Sequence, residues 1–177
     1  GNAILVADSI YTACKYYEIF QQRGFKKCAI ISSYTPQAGD LRTDTVSADD
    51  ETETFEKYEI YLRMLGFDPD NLPEKVSIQK KVEAFEKEVK EKFVNEPANM
   101  KLLIVVDKLL TGFDAPPCTY LYIDKSMQDH GLFQAICRVN RLDGDTKEFG
   151  YIVDYKQLFG DLKNAMDKYT SGAFENY

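Results

Sequence analysis

The sequence predicts an α/β domain in which helices cover both faces of a mainly parallel β-sheet. Short, continuous apolar runs recur along the chain, as is typical of strands that are buried on both faces. Segments with helical periodicity separate these runs, so strands and helices alternate. This alternation indicates crossover connections between parallel strands, and such sheets bind ligands at the carboxyl ends of their strands. We therefore expect the functional loops at that edge.

The amino-terminal part begins with a strand over residues 3–7, which are all apolar. An Asp-Ser pair then offers the N-cap of a helix of about four turns, and Gly24 is the residue type that commonly ends one. A second strand is expected over 28–31, followed by a loop that contains Pro36. Residues 1–3 look like a cloning remnant, which would make this chain an excised fragment.

The middle of the chain has a different character. Residues 35–54 are polar, rich in Asp, Thr and Ser, and without periodicity, which predicts an exposed acidic insertion. Helices are expected over 54–65 and 75–94. The apolar residues of the second helix are sparse and share one face, at Val82, Phe85, Val89 and Phe93. Its many Lys and Glu side chains are then a solvated face.

The carboxy-terminal part carries the strongest buried-strand signal, over 102–106, which we take as the central strand. Further strands are expected over 120–123 and 151–153. A last amphipathic helix is marked by Leu158, Leu162, Ala165, Met166 and Tyr169. A length of 177 residues suits one domain with a well-buried core, so residues 1–177 are interpreted as a single domain.

The net charge of −7 and the sequence pI of about 4.8 argue against a surface that is basic throughout. The acidic side chains are concentrated between residues 44 and 74, whereas the sequence over 101–141 is nearer balance. Net charge therefore does not exclude a local basic groove that contacts phosphates.

Several classes of protein are disfavoured by the sequence. No apolar run approaches the roughly 20 residues that span a bilayer, and no signal peptide is apparent. The four cysteines form no CxxC pair, and the single histidine, His130, has no obvious ligand partners. We expect no metal site, but buried, reduced thiols and a cytoplasmic location.

The segment after strand 120–123 places a glutamine and two arginines at helical spacing. Gln134, Arg138 and Arg141 occupy positions i, i+4 and i+7, which fall within about 60° of each other on a helix. Leu132, Ala135, Ile136 and Val139 lie on the opposite side. Because guanidinium groups bind phosphate oxygens in a bidentate fashion, this display fits a phosphate partner. Ordinary surface salt bridges explain the segment equally well.

The loop after strand 102–106 offers ligand-binding chemistry. Gly112 allows close backbone approach to a ligand, and Asp114 can accept hydrogen bonds from ribose hydroxyls or orient an arginine. Lys108 and Thr111 can donate to phosphates, and a Pro-Pro pair stiffens the exit. Taken alone, the loop is better explained as a tight turn whose Asp caps backbone amides.

Together the two segments are more specific than either alone. A strand, TGFDAP, a second strand and QxxxRxxR on a helix resemble the last two conserved motifs of superfamily-two helicases and translocases. The opening ILVADS resembles the fourth motif of that superfamily. The pattern VVDKLLTGFDAP, YLYIDK, QAICRVNR and YIVDY is most similar to the second motor domain of the R subunit of type I restriction enzymes. The resemblance covers residues 4–169 and is weakest between 35 and 94.

The resemblance implies a RecA-like three-layer sandwich that is the second of two motor domains enclosing ATP. Arg141 matches the arginine finger, and Arg138 matches a second arginine that faces the γ-phosphate. Gln134 matches the residue that links nucleotide state to the domain interface, whereas Gly112 and Asp114 match loop residues that approach the nucleotide. The chain has neither GxxxxGK[ST] nor a DExH-like run, so the phosphate-binding loop and magnesium site belong to the first motor domain.

The sequence also departs from the family pattern. Cys137 and Asn140 stand where glycines are common, and Val106 replaces a threonine that often contacts the nucleic-acid backbone. The resemblance therefore implies that DNA backbone contacts come from other residues, namely Lys108, Thr111 and Ser33.

By the same resemblance, ATP and Mg²⁺ are cofactors of the full subunit, and this fragment alone binds neither and is inactive. The implied partners are double-stranded DNA, the first motor domain and a PD-(D/E)xK nuclease domain of the same chain, and the specificity and methylation subunits. Two alternatives stay open. One is a stand-alone α/β module that binds a nucleotide or a protein without hydrolysis, with the acidic insertion as its interaction surface. The other is a different superfamily-two helicase.

Overall fold

The computed structural model is built on a parallel β-sheet. It describes residues 1–41, 48–71, 74–109, 113–127, 129–140, 147, 149–158, 160 and 163–164. The strands in this part of the chain are β1 (Asn2–Ala7), β2 (Cys28–Ile31), β3 (Leu102–Val105), β4 (Cys118–Asp124) and β5 (Tyr151–Asp154). The helices are α1 (Ile10–Gln22), α2 (Ala48–Leu65), α3 (Lys75–Asn95) and α4 (Asp129–Val139), with a short 3₁₀ helix over Ala38–Leu41.

The sheet order is β2-β3-β1-β4-β5, and every neighbouring pair is parallel. β1 is therefore the central strand, and the expectation that residues 102–106 would occupy the centre is wrong. Val6 of β1 lies beside Val105 of β3 on one side and beside Ile123 of β4 on the other. All strands at inner positions of a parallel sheet are apolar, so composition alone does not show which of them is the central strand.

Alternate residues of each strand pack against different helices, which produces three layers. Ile4 and Val6 belong to the apolar cluster that includes residues of α3 and α4. Leu5 and Ala7 belong to a second cluster with residues of α1 and α2. Because successive strand side chains point to opposite faces, the two clusters lie on opposite sides of the sheet. The predicted α/β, RecA-like three-layer fold is confirmed.

The α1/α2 layer covers the sheet unevenly. Residues of β1, β2 and β3 dominate its apolar cluster. Tyr120 of β4 and Tyr151 of β5 are exposed and stack with ring centroids 5.1 Å apart. Within the described residues, this half of the sheet presents tyrosines to solvent instead of aliphatic side chains.

The boundaries of α1 follow from local chemistry, as the sequence predicts. Ser9 is the N-cap, and its hydroxyl accepts a hydrogen bond from the backbone N–H of Thr12 at 3.1 Å. Gly24 follows the helix with φ of +81°, a conformation that favours glycine.

The acidic insertion is more ordered than its sequence suggests. The 3₁₀ helix lies within residues 35–54, and α2 begins at Ala48 instead of near residue 54. Asp49, Asp50 and Glu51 occupy the first turn of α2, where carboxylates interact favourably with the helix dipole. The apolar periodicity starts only with later residues, so periodicity alone placed the helix start too late. Residues 42–47, and most of the predicted last helix, lie outside the described residues.

The amino terminus is an integral part of the sheet, whatever the origin of residues 1–3. Asn2 is 1% exposed, and its side-chain amide donates to the carbonyl oxygens of Met100 at 2.7 Å and Phe93 at 3.3 Å. These bonds join the start of β1 to the end of α3 and the turn after it. No described helix is long and apolar enough to cross a bilayer.

The close approach of α4 to β5 gives a first prediction. A Cβ atom added to Gly150 would lie 2.3 Å from the carbonyl oxygen of Val139, whereas one added to Gly39 would meet nothing within 4 Å. We expect Gly150→Ala to lower the free energy of unfolding by about 1–3 kcal/mol, because neither backbone can move freely. Chemical denaturation measures this change. Gly39→Ala, the control, should stay within about 0.5 kcal/mol of wild type. Equal stability of both variants would contradict the packing.

Candidate functional site

The helix α4 separates its apolar and polar residues as the sequence predicts. Leu132, Ala135 and Val139 are buried against the sheet. Gln134 and Arg138 are half-buried on the other side of the helix. Burial of the apolar face fixes the rotation of α4 about its axis, and this rotation fixes the direction of the polar side chains.

One hydrogen bond joins α4 to the loop after β3. Nη1 of Arg138 donates to the carbonyl oxygen of Phe113 at 2.7 Å, across 25 residues of sequence. Phe113 immediately precedes Asp114, which is exposed. The structure therefore brings Arg138 next to the loop that carries Asp114. Arg141, Gly112 and Thr111 lie outside the described residues.

This contact does not lie at the carboxyl edge of the sheet, where we expected it. α4 begins after the carboxyl end of β4 and runs back against the strand direction, so that Val139 approaches Gly150, just before β5. The end of the loop likewise lies at the amino ends of the strands, because Pro117 accepts a hydrogen bond from the backbone N–H of Asn2, the first residue of β1, at 3.1 Å. Arg138 and Phe113 therefore meet on the α3/α4 side, toward the amino ends of the strands.

The beginning of the same loop does lie at the carboxyl edge. Nζ of Lys108 is 3.5 Å from the carbonyl oxygen of Ser32, which follows β2. Ser33, the next residue, is exposed. Two of the three residues predicted to contact DNA, Lys108 and Ser33, are thus close together at this edge. They occupy a different place from the Arg138 contact.

Lys108 is also held by a carboxylate that the sequence analysis missed. Its Nζ lies 2.5 Å from Oε2 of Glu86, whose Oε1 is 3.0 Å from Nζ of Lys90. The Glu86 side chain is 14% exposed and that of Lys108 is 41% exposed. Glu86 was assigned to the solvated face of α3. Its position next to Phe85, on the edge of the apolar stripe of α3, is the sequence feature that could have indicated its burial.

The pKa of Glu86 reflects two opposing effects. Burial raises the pKa of this carboxyl, but hydrogen bonds and charge from Lys108 and Lys90 outweigh burial and leave the pKa below its ordinary value. Glu86 is thus ionised at neutral pH and holds both ammonium groups. The three side chains line a cavity of about 620 Å³ between α3 and the loop, whose wall also includes Lys87 and Phe113.

The described residues contain no group of three or more His, Cys, Asp or Glu side chains placed to hold a metal ion. The four thiols are free. Cys14, Cys28 and Cys118 are buried, but Cys137 is exposed, so the expectation that all four are buried is wrong for this residue. Cys137 lies on α4 beside Arg138, on the polar side of the helix.

Comparison with known proteins agrees with this arrangement. Residues 1–157 match the family model described as type I restriction enzyme subunit R domain 3. The chain belongs to this family.

Curated relatives from bacteria and archaea support the same family. The endonuclease subunit of a Staphylococcus aureus (strain COL) type I restriction enzyme is 31% identical over 93% of this chain and 18% of its own length. A Methanocaldococcus jannaschii endonuclease subunit, described as putative, is 41% identical over 60% of the chain and 10% of its own length. The HindI endonuclease subunit of Haemophilus influenzae is 44% identical over 49% of the chain and 8% of its own length. The chain thus spans less than a fifth of these relatives.

The thiols provide a direct test of the site geometry. Burial raises the pKa of Cys14 and of Cys118 to about 12 and also raises that of Cys28, so these thiols resist modification near pH 8. We expect a thiol reagent such as Ellman's reagent to modify one equivalent quickly in the native domain. Cys137→Ser should abolish this fast phase, and Cys28→Ser should leave it intact. A fast phase that survives in Cys137→Ser would show that a different thiol is the accessible one and would contradict this geometry.

Proposed function

We propose that this chain is the second motor domain of an ATP-dependent double-stranded DNA translocase in a type I restriction-modification system. The observation that carries the proposal is the bond between Arg138 and Phe113, because it joins the two segments that resemble the nucleotide-sensing motifs of such motors. The family match over residues 1–157 supports it. The first motor domain would supply the phosphate-binding loop and the magnesium ligands, which this sequence lacks.

In the proposed reaction, the chain stabilises negative charge as the γ-phosphoryl group of ATP passes to water. Arg141 acts as the arginine finger, and Arg138 is the second arginine that faces the γ-phosphate. A guanidinium group stays protonated at any relevant pH, so its contribution is electrostatic and involves no proton transfer. Gln134 transmits the nucleotide state to the domain interface, and Gly112 and Asp114 contact the nucleotide from the loop.

Arg138 is suited to this role because its guanidinium is already oriented. The hydrogen bond to Phe113 uses a backbone acceptor in a loop whose next residue but one, Ala115, is buried. Preorganised charge stabilises a transition state without the cost of reorienting groups during the reaction. Removing an arginine finger costs about 10³–10⁵ in hydrolysis rate, or roughly 4–7 kcal/mol, which exceeds the value of about 1 kcal/mol or less for a surface ion pair.

DNA contact is proposed through Lys108 and Ser33 at the carboxyl edge, and through Thr111, which lies outside the described residues. Lys108 already binds one carboxylate, and a DNA phosphate presents the same kind of anionic oxygen. The loop between β3 and β4 then has DNA contacts at its start and nucleotide contacts further along. A displacement of this loop would change the geometry of both the DNA site and the nucleotide site, and a translocase needs this coupling.

The full subunit is proposed to include the first motor domain and a PD-(D/E)xK nuclease domain, and to work in the cytoplasm with the specificity and methylation subunits. Since most phosphate contacts would come from the first motor domain, the isolated chain should hydrolyse no ATP. The DNA recognition sequence would be set by the specificity subunit.

The arginine roles are tested in the full subunit by DNA-stimulated ATP hydrolysis. Arg141→Ala should lower kcat by about 10³-fold or more, and Arg138→Ala by a similar or smaller factor, because the charge on the transferring group loses its partner. Arg63→Ala is the control, since Arg63 is a surface residue 3.9 Å from Glu18 on the other side of the sheet. Near-normal turnover in both Arg141→Ala and Arg138→Ala would overturn the proposal.

The DNA contact is tested by the salt dependence of binding. Lys108→Ala in the full subunit should weaken binding to DNA of any sequence and reduce the slope of log K against log salt by about 1, because one phosphate contact is lost. Lys92→Ala is the matched control, because Lys92 also pairs with a glutamate of α3, Glu88, at 2.5 Å. An unchanged slope in Lys108→Ala, or an equal change in Lys92→Ala, would contradict the assignment.

A further inference from the structure

Lys147 is a buried lysine in the segment between α4 and β5. The residue is only 7% exposed, and its Nζ donates to the carbonyl oxygens of Pro116 at 2.9 Å and Cys118 at 2.6 Å. Lysines are almost never buried without partners, because an ammonium group that leaves water must recover its hydrogen bonds. The two carbonyls flank Pro117, where the loop passes into β4. Lys147 therefore fixes the exit of that loop.

A second tie ends on the same loop. Arg138 donates to the carbonyl oxygen of Phe113, three residues before Pro116. Residues 113–118 are thus attached at two points, to the last turn of α4 through Arg138 and to the segment after α4 through Lys147. Arg141, the proposed arginine finger, lies between these two points in the sequence.

The packing at the end of α4 restrains the same region further. Gly150 lies so close to Val139 that a Cβ atom on it would overlap the Val139 backbone, at 2.3 Å from the carbonyl oxygen and 2.7 Å from the carbonyl carbon. The end of α4 and the residue before β5 are therefore in close contact, and Lys147 ties the exit of the loop to the segment between them. None of them can shift without disturbing the others, because close-packed backbone has no room to relax.

We propose that Lys147 is a positioning residue for the nucleotide site, holding the loop that carries Asp114 in register with the helix that carries Arg138. This inference rests on the proposed function and adds a residue that touches neither nucleotide nor DNA. A misplacement of about 1 Å in an active site can cost a factor of about 10² in rate. Loss of the ammonium should therefore reduce turnover much more than it reduces ATP binding, which depends mainly on the first motor domain.

The test compares Lys147→Met with Lys147→Arg in the full subunit, by steady-state DNA-stimulated ATP hydrolysis and thermal denaturation. Methionine has a similar length but donates no hydrogen bond, so kcat should fall about 10- to 100-fold while KM for ATP changes by less than about threefold. Arginine keeps the charge and several donors, so it should restore kcat to within about fivefold of wild type. If Lys147→Met does not fold, Lys147→Leu replaces it; leucine also donates no hydrogen bond, so the same loss of kcat is expected.

Asn2→Ala is the control for a purely structural effect. Asn2 is also buried, and its side-chain amide also donates to two backbone carbonyls, those of Phe93 and Met100. Its only hydrogen bond to the loop among the described residues is from its backbone N–H to Pro117, which Asn2→Ala retains. Asn2→Ala should lower Tm by an amount comparable to Lys147→Met and keep kcat within about threefold of wild type. A double variant, Lys147→Met with Arg138→Ala, should lose less kcat than the product of the two single losses, because Lys147 acts by holding the loop that Arg138 contacts.

Other outcomes overturn the inference. One is a kcat of Lys147→Met within about threefold of wild type. Another is a loss of kcat in Asn2→Ala as large as that in Lys147→Met. The third is a Lys147→Arg variant of normal Tm whose kcat is not restored. Arg141→Ala in the same assay separates this inference from the proposed function. Normal turnover in both Arg141→Ala and Arg138→Ala removes the proposed function itself. An inactive Arg141→Ala alongside a fully active Lys147→Met removes only the positioning role of Lys147.

Discussion

The contact between Arg138 and the carbonyl oxygen of Phe113 is the interaction on which the functional account depends. It joins the last turn of α4 to a loop that belongs to a different crossover connection. Its geometry follows from packing, because Leu132 and Ala135 fix the face that α4 presents to the sheet. The loop is equally constrained, since Ala115 is buried and the rings of Phe113 and Phe93 are 6.2 Å apart. The bond is thus a consequence of two surfaces that are each fixed by the apolar core.

The loop between β3 and β4 connects two chemically different ends of the domain. It begins at the carboxyl edge, where Lys108 meets Glu86, and it finishes near the amino ends of the strands, where Lys147 holds its exit. No helix intervenes in the described part of this connection.

Most of the fold was predictable from the sequence, because its signals are local. Apolar runs located the five strands of the described part of the chain, and Ser9 and Gly24 marked the ends of α1. The start of α2 was missed because acidic residues in a first turn carry helix-favouring charge but no apolar period. The exposure of Cys137 was missed although the spacing of α4 places it beside Arg138, since cysteine is usually buried.

The functional region was predicted only in part, for a different reason. The spacing of Gln134 and Arg138 showed that they share a helix face, and the resemblance to a known family paired that face with the loop of Asp114. Glu86 and Lys147 were not singled out, because their roles depend on partners 22 and 29–31 residues away. Charged residues in such segments are usually solvated, and only tertiary contacts distinguish these two.

The central claim is that the arginine helix and the Asp114 loop form one side of a nucleotide site. Hydrogen exchange in the full subunit, with and without a non-hydrolysable ATP analogue, tests this most directly. The account predicts that the backbone amides of residues 113–115 and of residues 134–140 gain protection together when the analogue binds. Protection of neither segment, or of one without the other, would contradict it.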